Sequence, residues 1–160
     1  MGKYILFVFT LILVIKMQAQ TGKILPFQKW AHTPPMGWNS WDCYGPSITE
    51  DQVKANADYI HSKGLKIGIH IMRGAPIIAV NQKLSVKRSS KTAADIYSTE
   101  LQCEWLRDNY TILGDREGAQ VYYNSILELY ASWGVNFIKV DDLARPYHQG
   151  EMEILRNAIN

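Results

Sequence analysis

Cysteine is nearly absent: the 160 residues contain two, Cys43 and Cys103. Two scattered thiols exclude a CxxC-type metal site, and in an oxidising compartment they allow one disulfide at most, Cys43–Cys103. Long apolar runs are lacking as well. The longest, Tyr4–Ile15 (YILFVFTLILVI), covers twelve residues, whereas a membrane span needs about 20. Excess charge is missing too. Residues 1–20 hold two lysines, Lys3 and Lys16, and no acid, so beyond them the 17 basic side chains fall to 15, against 15 acidic ones. A formal net charge of zero argues against a nucleic-acid partner, which requires a basic face. The locally basic run Lys83–Lys91 (KLSVKRSSK) reads as a solvated loop.

The first twenty residues form a unit of their own. A positive start at Lys3, the apolar run and a short polar stretch, Lys16–Gln20, make a secretory signal peptide, with cleavage near Ala19. No cysteine follows at once, so no lipid anchor is expected. The mature chain is therefore expected to be secreted or periplasmic and free of the membrane. Residues 21–160 have ordinary globular composition, 47% hydrophobic and 20% charged over the whole chain, and are enough for one modest domain.

Along that domain, Pro34-Pro35 forces extended backbone before a short strand, Met36–Trp41 (MGWNSW). A helix opens at Thr49 with a Thr-x-x-Gln capping box, repeats Val53, Ala57 and Ile60 at helical spacing, and stops at Gly64. Lys66–Ile71 (KIGIHI) alternates as a strand that carries His70 near its carboxyl end. Met72–Gly118 reads as a long irregular connection, a length that is either functional or evidence against the assignment. Ala119–Trp133 is amphipathic, with Tyr122, Ile126, Leu129 and Trp133 on one stripe, and Gly134 ends it. The strand Gly134–Asp142, the loop Leu143–His148 and a last helix, Glu151–Ile159, complete the order. Strand, helix, strand, helix, strand, helix predicts an α/β fold of parallel βαβ units, with functional groups at the carboxyl ends of the strands.

The chemistry concentrates in GVNFIKVDD, residues 134–142. Side chains alternate along a strand, so Phe137, Lys139 and Asp141 share one face while Ile138, Val140 and Asp142 share the other. From the residues alone, Lys139 and Asp141 are either a structural ion pair at a strand end or a carboxylate presented beside a cation. A divalent-metal site on Asp141 and Asp142 is disfavoured by their opposite faces and by Lys139; no metal or cofactor is expected.

Three motifs in order, TPPMGWNSWD at Thr33–Asp42, GLKIGIHIMRG at Gly64–Gly74 and GVNFIKVDD with the following RPYH, resemble glycoside hydrolase family 27, the α-galactosidase and α-N-acetylgalactosaminidase clan with a (β/α)8 catalytic barrel. The resemblance covers nearly all of residues 31–160. It implies a partial TIM barrel of about three of the eight βα units. It also implies retaining hydrolysis of a terminal α-linked galactose from oligosaccharides or glycoconjugates, by two carboxyl groups. Asp141 takes the place of the nucleophile, and Lys139 that of the residue that binds sugar hydroxyls and keeps the carboxylate ionised. Trp41 resembles the apolar wall under the sugar ring. His70 stands where members often carry a sugar-contacting tyrosine, and Asp142 replaces a small residue or asparagine; both are candidate substrate-binding residues.

Two departures accompany the resemblance. Ala57-Asp58-Tyr59-Ile60 runs straight into His61-Ser62-Lys63-Gly64, where family members insert a strand ending in paired aspartates, so an internal deletion joining two helices is expected. The later strands and the acid/base carboxylate lie outside this sequence. The 160 residues by themselves are therefore expected to be inactive, and the alternative reading is a sugar-binding or catalytically dead fragment.

Overall fold

The computed structural model describes residues 43–160. The expected signal peptide, the strand Met36–Trp41 and Trp41 itself lie outside the described residues.

Helix α1, Glu50–Ser62, begins where the sequence says it should. The Thr49 hydroxyl accepts from the Gln52 backbone N–H, and the Gln52 side chain accepts from the Thr49 N–H at 2.9 Å, so two otherwise orphaned donors are met. Glu50 and Asp51 sit in the first turn, where carboxylates oppose the helix dipole. At the other end Gly64 adopts φ +71, and the Gly64 and Leu65 N–H groups return to the His61 and Ile60 carbonyls at 2.9 and 3.2 Å. Such a closure favours glycine, because a Cβ is disfavoured at positive φ. The helix runs unbroken through Ala57-Asp58-Tyr59, burying Val53 and Ala57, and leads straight to the next strand.

Strands β1 (Gly68–Met72) and β5 (Phe137–Asp141) pair in parallel, with Gly68 opposite Phe137, His70 opposite Lys139 and Met72 opposite Asp141. Asn136 pins that register. Its N–H donates to the Ile67 carbonyl at 2.9 Å, its Oδ1 accepts from the Ile67 N–H at 3.0 Å, and the same oxygen lies 2.8 Å from His61 Nε2. A slip of one residue would turn every side chain to the wrong face.

The stretch expected to be an irregular connection is instead ordered. Between β1 and the next long helix lie β2 (Ala75–Pro76), α2 (Ile77–Asn81), α3 (Ala93–Ile96), β3 (Tyr97–Ser98) and β4 (Asn109–Ile112). The three strands form an antiparallel sheet in the order β2-β4-β3. Thr92 and Asp95 form a second capping box, which starts α3. The pieces are too short to show a period in sequence, yet they hold much of the core. Ala75, Val80, Val86, Ala93, Ile96 and Ile112 are buried in one cluster with residues of the last two helices, α4 (Ala119–Ser132) and α5 (Gln149–Ile159).

Helix α4 turns a different stripe inward from the one expected. Ala119, Tyr123 and Leu127 are buried, whereas Leu129 is exposed. The apolar residues of α4 occupy more than one stripe, so packing selects among them. The inward face is the one that meets α5, against which Gln120 Nε2 donates to the Ile154 carbonyl at 2.9 Å.

Candidate active site

Asp141 ends β5, and its carboxylate collects donors from two strands. Its Oδ1 accepts the backbone N–H of Asp142 at 2.9 Å. Its Oδ2 lies 3.1 Å from His70 Nε2 and 3.8 Å from Lys139 Nζ. The backbone N–H of Asp142 above all, then Lys139 and His70, hold the carboxyl below its usual range against the opposing effect of burial. An ionised carboxylate can only accept, so the proton of the His70 contact sits on Nε2. The Asp141 side chain is 37% exposed and that of Lys139 63%, so both are open to solvent. His70, Lys139 and Asp141 are thus brought together on one face.

Asp142 goes the other way. Its side chain is nearly buried and pairs with Arg73, NH2 to Oδ2 at 2.8 Å, on the opposite face from Asp141. Asp142, expected as a substrate-binding residue, is thus turned toward a buried guanidinium and away from the open face of β5. The physical reason is Arg73, a buried guanidinium that requires anionic partners.

The Arg73 guanidinium donates four hydrogen bonds and makes an ion pair besides. Nε donates to the Asp142 carbonyl at 2.7 Å; NH1 donates to Thr111 Oγ1 at 3.0 Å and Glu151 Oε2 at 3.2 Å; NH2 donates to the Leu101 carbonyl and faces the Asp142 carboxylate. Glu151, 2% exposed, is pushed upward by burial, although the hydrogen bonds from Tyr123 and the charge of Arg73 pull it down. Burial also raises the Tyr123 hydroxyl well above its usual value, so it stays protonated; it donates to Glu151 and accepts from the Gly74 N–H at 2.9 Å. Buried His148 completes the surroundings, held below its usual value by burial and then by Arg73.

The sequence reading assigned no role to Arg73 or Glu151. The available signal was an arginine directly after an apolar strand, in His70-Ile71-Met72-Arg73-Gly74. Trp41 lies outside the described residues. Cys103 is buried, Cys43 is exposed and no disulfide joins them, so the allowed pairing is not made in this structure. Among the described residues no cluster of three or more His, Cys, Asp or Glu side chains could hold a metal ion, and no helix is long and apolar enough to cross a membrane.

No protein-family model matches the chain. It is, however, 30% identical over 142 residues to α-galactosidase A of Cellvibrio japonicus, covering 81% of this chain and 34% of that one. It is also 30% identical over 124 residues to the α-galactosidase of Cyamopsis tetragonoloba, covering 69% and 30%. Among solved structures, a family 27 β-L-arabinopyranosidase from Geobacillus stearothermophilus, bearing a D197A substitution and bound to arabinose, superposes with a TM-score of 0.73 at 34% identity, over 86% of this chain and 48% of that one.

Over most of its length the chain is similar to enzymes of glycoside hydrolase family 27. It spans about a third of the length of these curated relatives. The parallel pair β1–β5 is accordingly part of a (β/α)8 barrel, and in such barrels reacting groups stand at the carboxyl ends of the strands. Asp141 occupies that position on β5.

Proposed function

We propose that this protein is a secreted retaining α-galactosidase in which Asp141 is the nucleophile, and that residues 1–20 are its signal peptide and 21–160 part of its catalytic domain. The observation that carries the reading is the Asp141 carboxylate, solvent-accessible at a strand end and held ionised by Asp142 N–H, His70 and Lys139. Its relatives include α-galactosidases. In the proposed reaction an Asp141 oxygen attacks the anomeric carbon while the glycosidic C–O bond breaks. The departing oxygen takes its proton from a second carboxyl group, and water then hydrolyses the glycosyl ester. Asp142 and Glu151 are not that second group, because both are buried against Arg73. His70 and Lys139 contact sugar hydroxyls, and Trp41 forms the apolar wall beneath the ring.

The same commitment of Asp142 and Glu151 to Arg73 favours a second reading, in which these 160 residues bind a sugar without turning it over. Hydrolysis of p-nitrophenyl α-galactoside, α-N-acetylgalactosaminide and β-L-arabinopyranoside separates the two and sets the substrate. The proposal expects the full-length protein to turn over the galactoside and Asp141→Ala to abolish that turnover. Undiminished turnover in Asp141→Ala overturns the assignment.

A further inference from the structure

Two residues other than glycine in the Arg73 cluster hold positive φ: Leu101 at 54° and Asp142 at 63°. Backbone of this kind is disfavoured for a residue with a Cβ and persists where its surroundings enforce it. Here both left-handed residues give their carbonyl to the same buried guanidinium, and Asp142 adds its carboxylate. Glu151 and Thr111 fix the guanidinium from α5 and β4. On the other face of β5, the peptide that the clamped Asp142 carbonyl follows presents its N–H to Asp141 Oδ1 at 2.9 Å.

We infer that Arg73 and Asp142 are positioning residues, a buried clamp that fixes the backbone after β5 so that the Asp142 N–H holds and orients the Asp141 carboxylate. Neither touches the open face where His70 and Lys139 stand. Their action passes through the backbone, and Glu151 serves as the counter-anion that keeps Arg73 in place. The significance of the clamp for catalysis rests on Asp141 being the nucleophile; its effect on the carboxylate does not.

Carboxyl-carbon NMR titration of Asp141 in the full chain, with folding checked by circular dichroism, tests the clamp without requiring turnover. The groups facing the carboxylate are His70, Lys139 and the Asp142 N–H, so His70 and Lys139 are kept intact. Asp142→Ala, which resists positive φ, should move the Asp141 midpoint upward, and so should Arg73→Lys, which cannot reproduce the fork. Asp142→Gly and Asp142→Asn, which accept left-handed backbone, should move it less. The clamp is overturned if Asp142→Ala and Arg73→Lys leave the midpoint in place, or if Asp142→Gly moves it as far as Asp142→Ala. Should Arg73→Lys fail to fold, the order of the three Asp142 variants decides alone. Unchanged turnover in Asp141→Ala would remove the nucleophile reading but leave this titration result standing.

Discussion

His70 and Asp141 are 71 positions apart in the chain and meet across the parallel β1–β5 pair, with Nε2 3.1 Å from Oδ2. The imidazole donates to a carboxylate that the Asp142 backbone also holds, with the Lys139 ammonium a nearby charge at 3.8 Å. Removing it takes away a hydrogen bond to a charged group, worth about 1.5–3 kcal/mol. His70→Ala should therefore lower kcat/KM on an α-galactoside by roughly tenfold or more and move the acid limb of the pH profile upward. A profile identical to that of the native protein would show that His70 does not act on Asp141.

The pH dependence of stability has two opposite contributions. Asp141 is held below its usual value of 3.8 in the folded state, so its contribution is full above that value and is lost as pH falls through the folded value. Glu151 is held above 4.5, so its contribution is greatest below 4.5 and is lost as pH rises through its folded value. Urea denaturation from acid to neutral pH checks both signs. The stability of the native protein relative to Asp141→Asn should decline on acidification below about pH 4, whereas relative to Glu151→Gln it should decline on going from acid to neutral pH.

Burial decides which ion pairs matter. Arg73→Ala leaves Asp142 and Glu151 as uncompensated buried carboxylates and should cost about 3–5 kcal/mol. Lys54→Ala breaks a pair on α1 whose side chains are 46% and 49% exposed, and should cost under about 0.5 kcal/mol. Tyr123→Phe leaves the Gly74 N–H without its acceptor and Glu151 without its hydroxyl donor, and should cost about 1–3 kcal/mol. Denaturant midpoints rank the three; equal losses would contradict the account of the buried network.

Asn136→Ala removes the acceptor that ties the start of β1 to β5 and to the end of α1. A loss of about 1–3 kcal/mol is expected, accompanied by faster amide exchange at Ile67. Slow exchange at Ile67 in the variant would show that the strand pair keeps its register without the Asn136 side chain.

Much of the scaffold was legible in the sequence because local chemistry sets it. The Thr49–Gln52 box and the glycine stops at Gly64 and Gly134 are short-range signals, and alternation put Lys139 and Asp141 on one face. The stretch 72–118 was not legible as structure. Its strands are two to four residues long, below the length at which alternation can be seen, and their pairing is set by contacts remote in sequence. The inward stripe of α4 was missed for a related reason, since its partner α5 chooses the face. Arg73 was overlooked because a charged residue after a strand reads as solvent-facing; only the fold shows it buried, with Asp142 drawn to it and away from the open face.

The claim at the centre is that Asp141 forms a covalent bond to the anomeric carbon of a galactosyl unit. An activated 5-fluoro galactosyl fluoride tests it most directly, because fluoride departs without a proton from a second carboxyl group and the fluorinated ester is slow to hydrolyse. Peptide mapping by mass spectrometry should find one galactosyl ester, on Asp141, and none in Asp141→Ala. A label on another residue, or no label on folded native protein, would contradict the account.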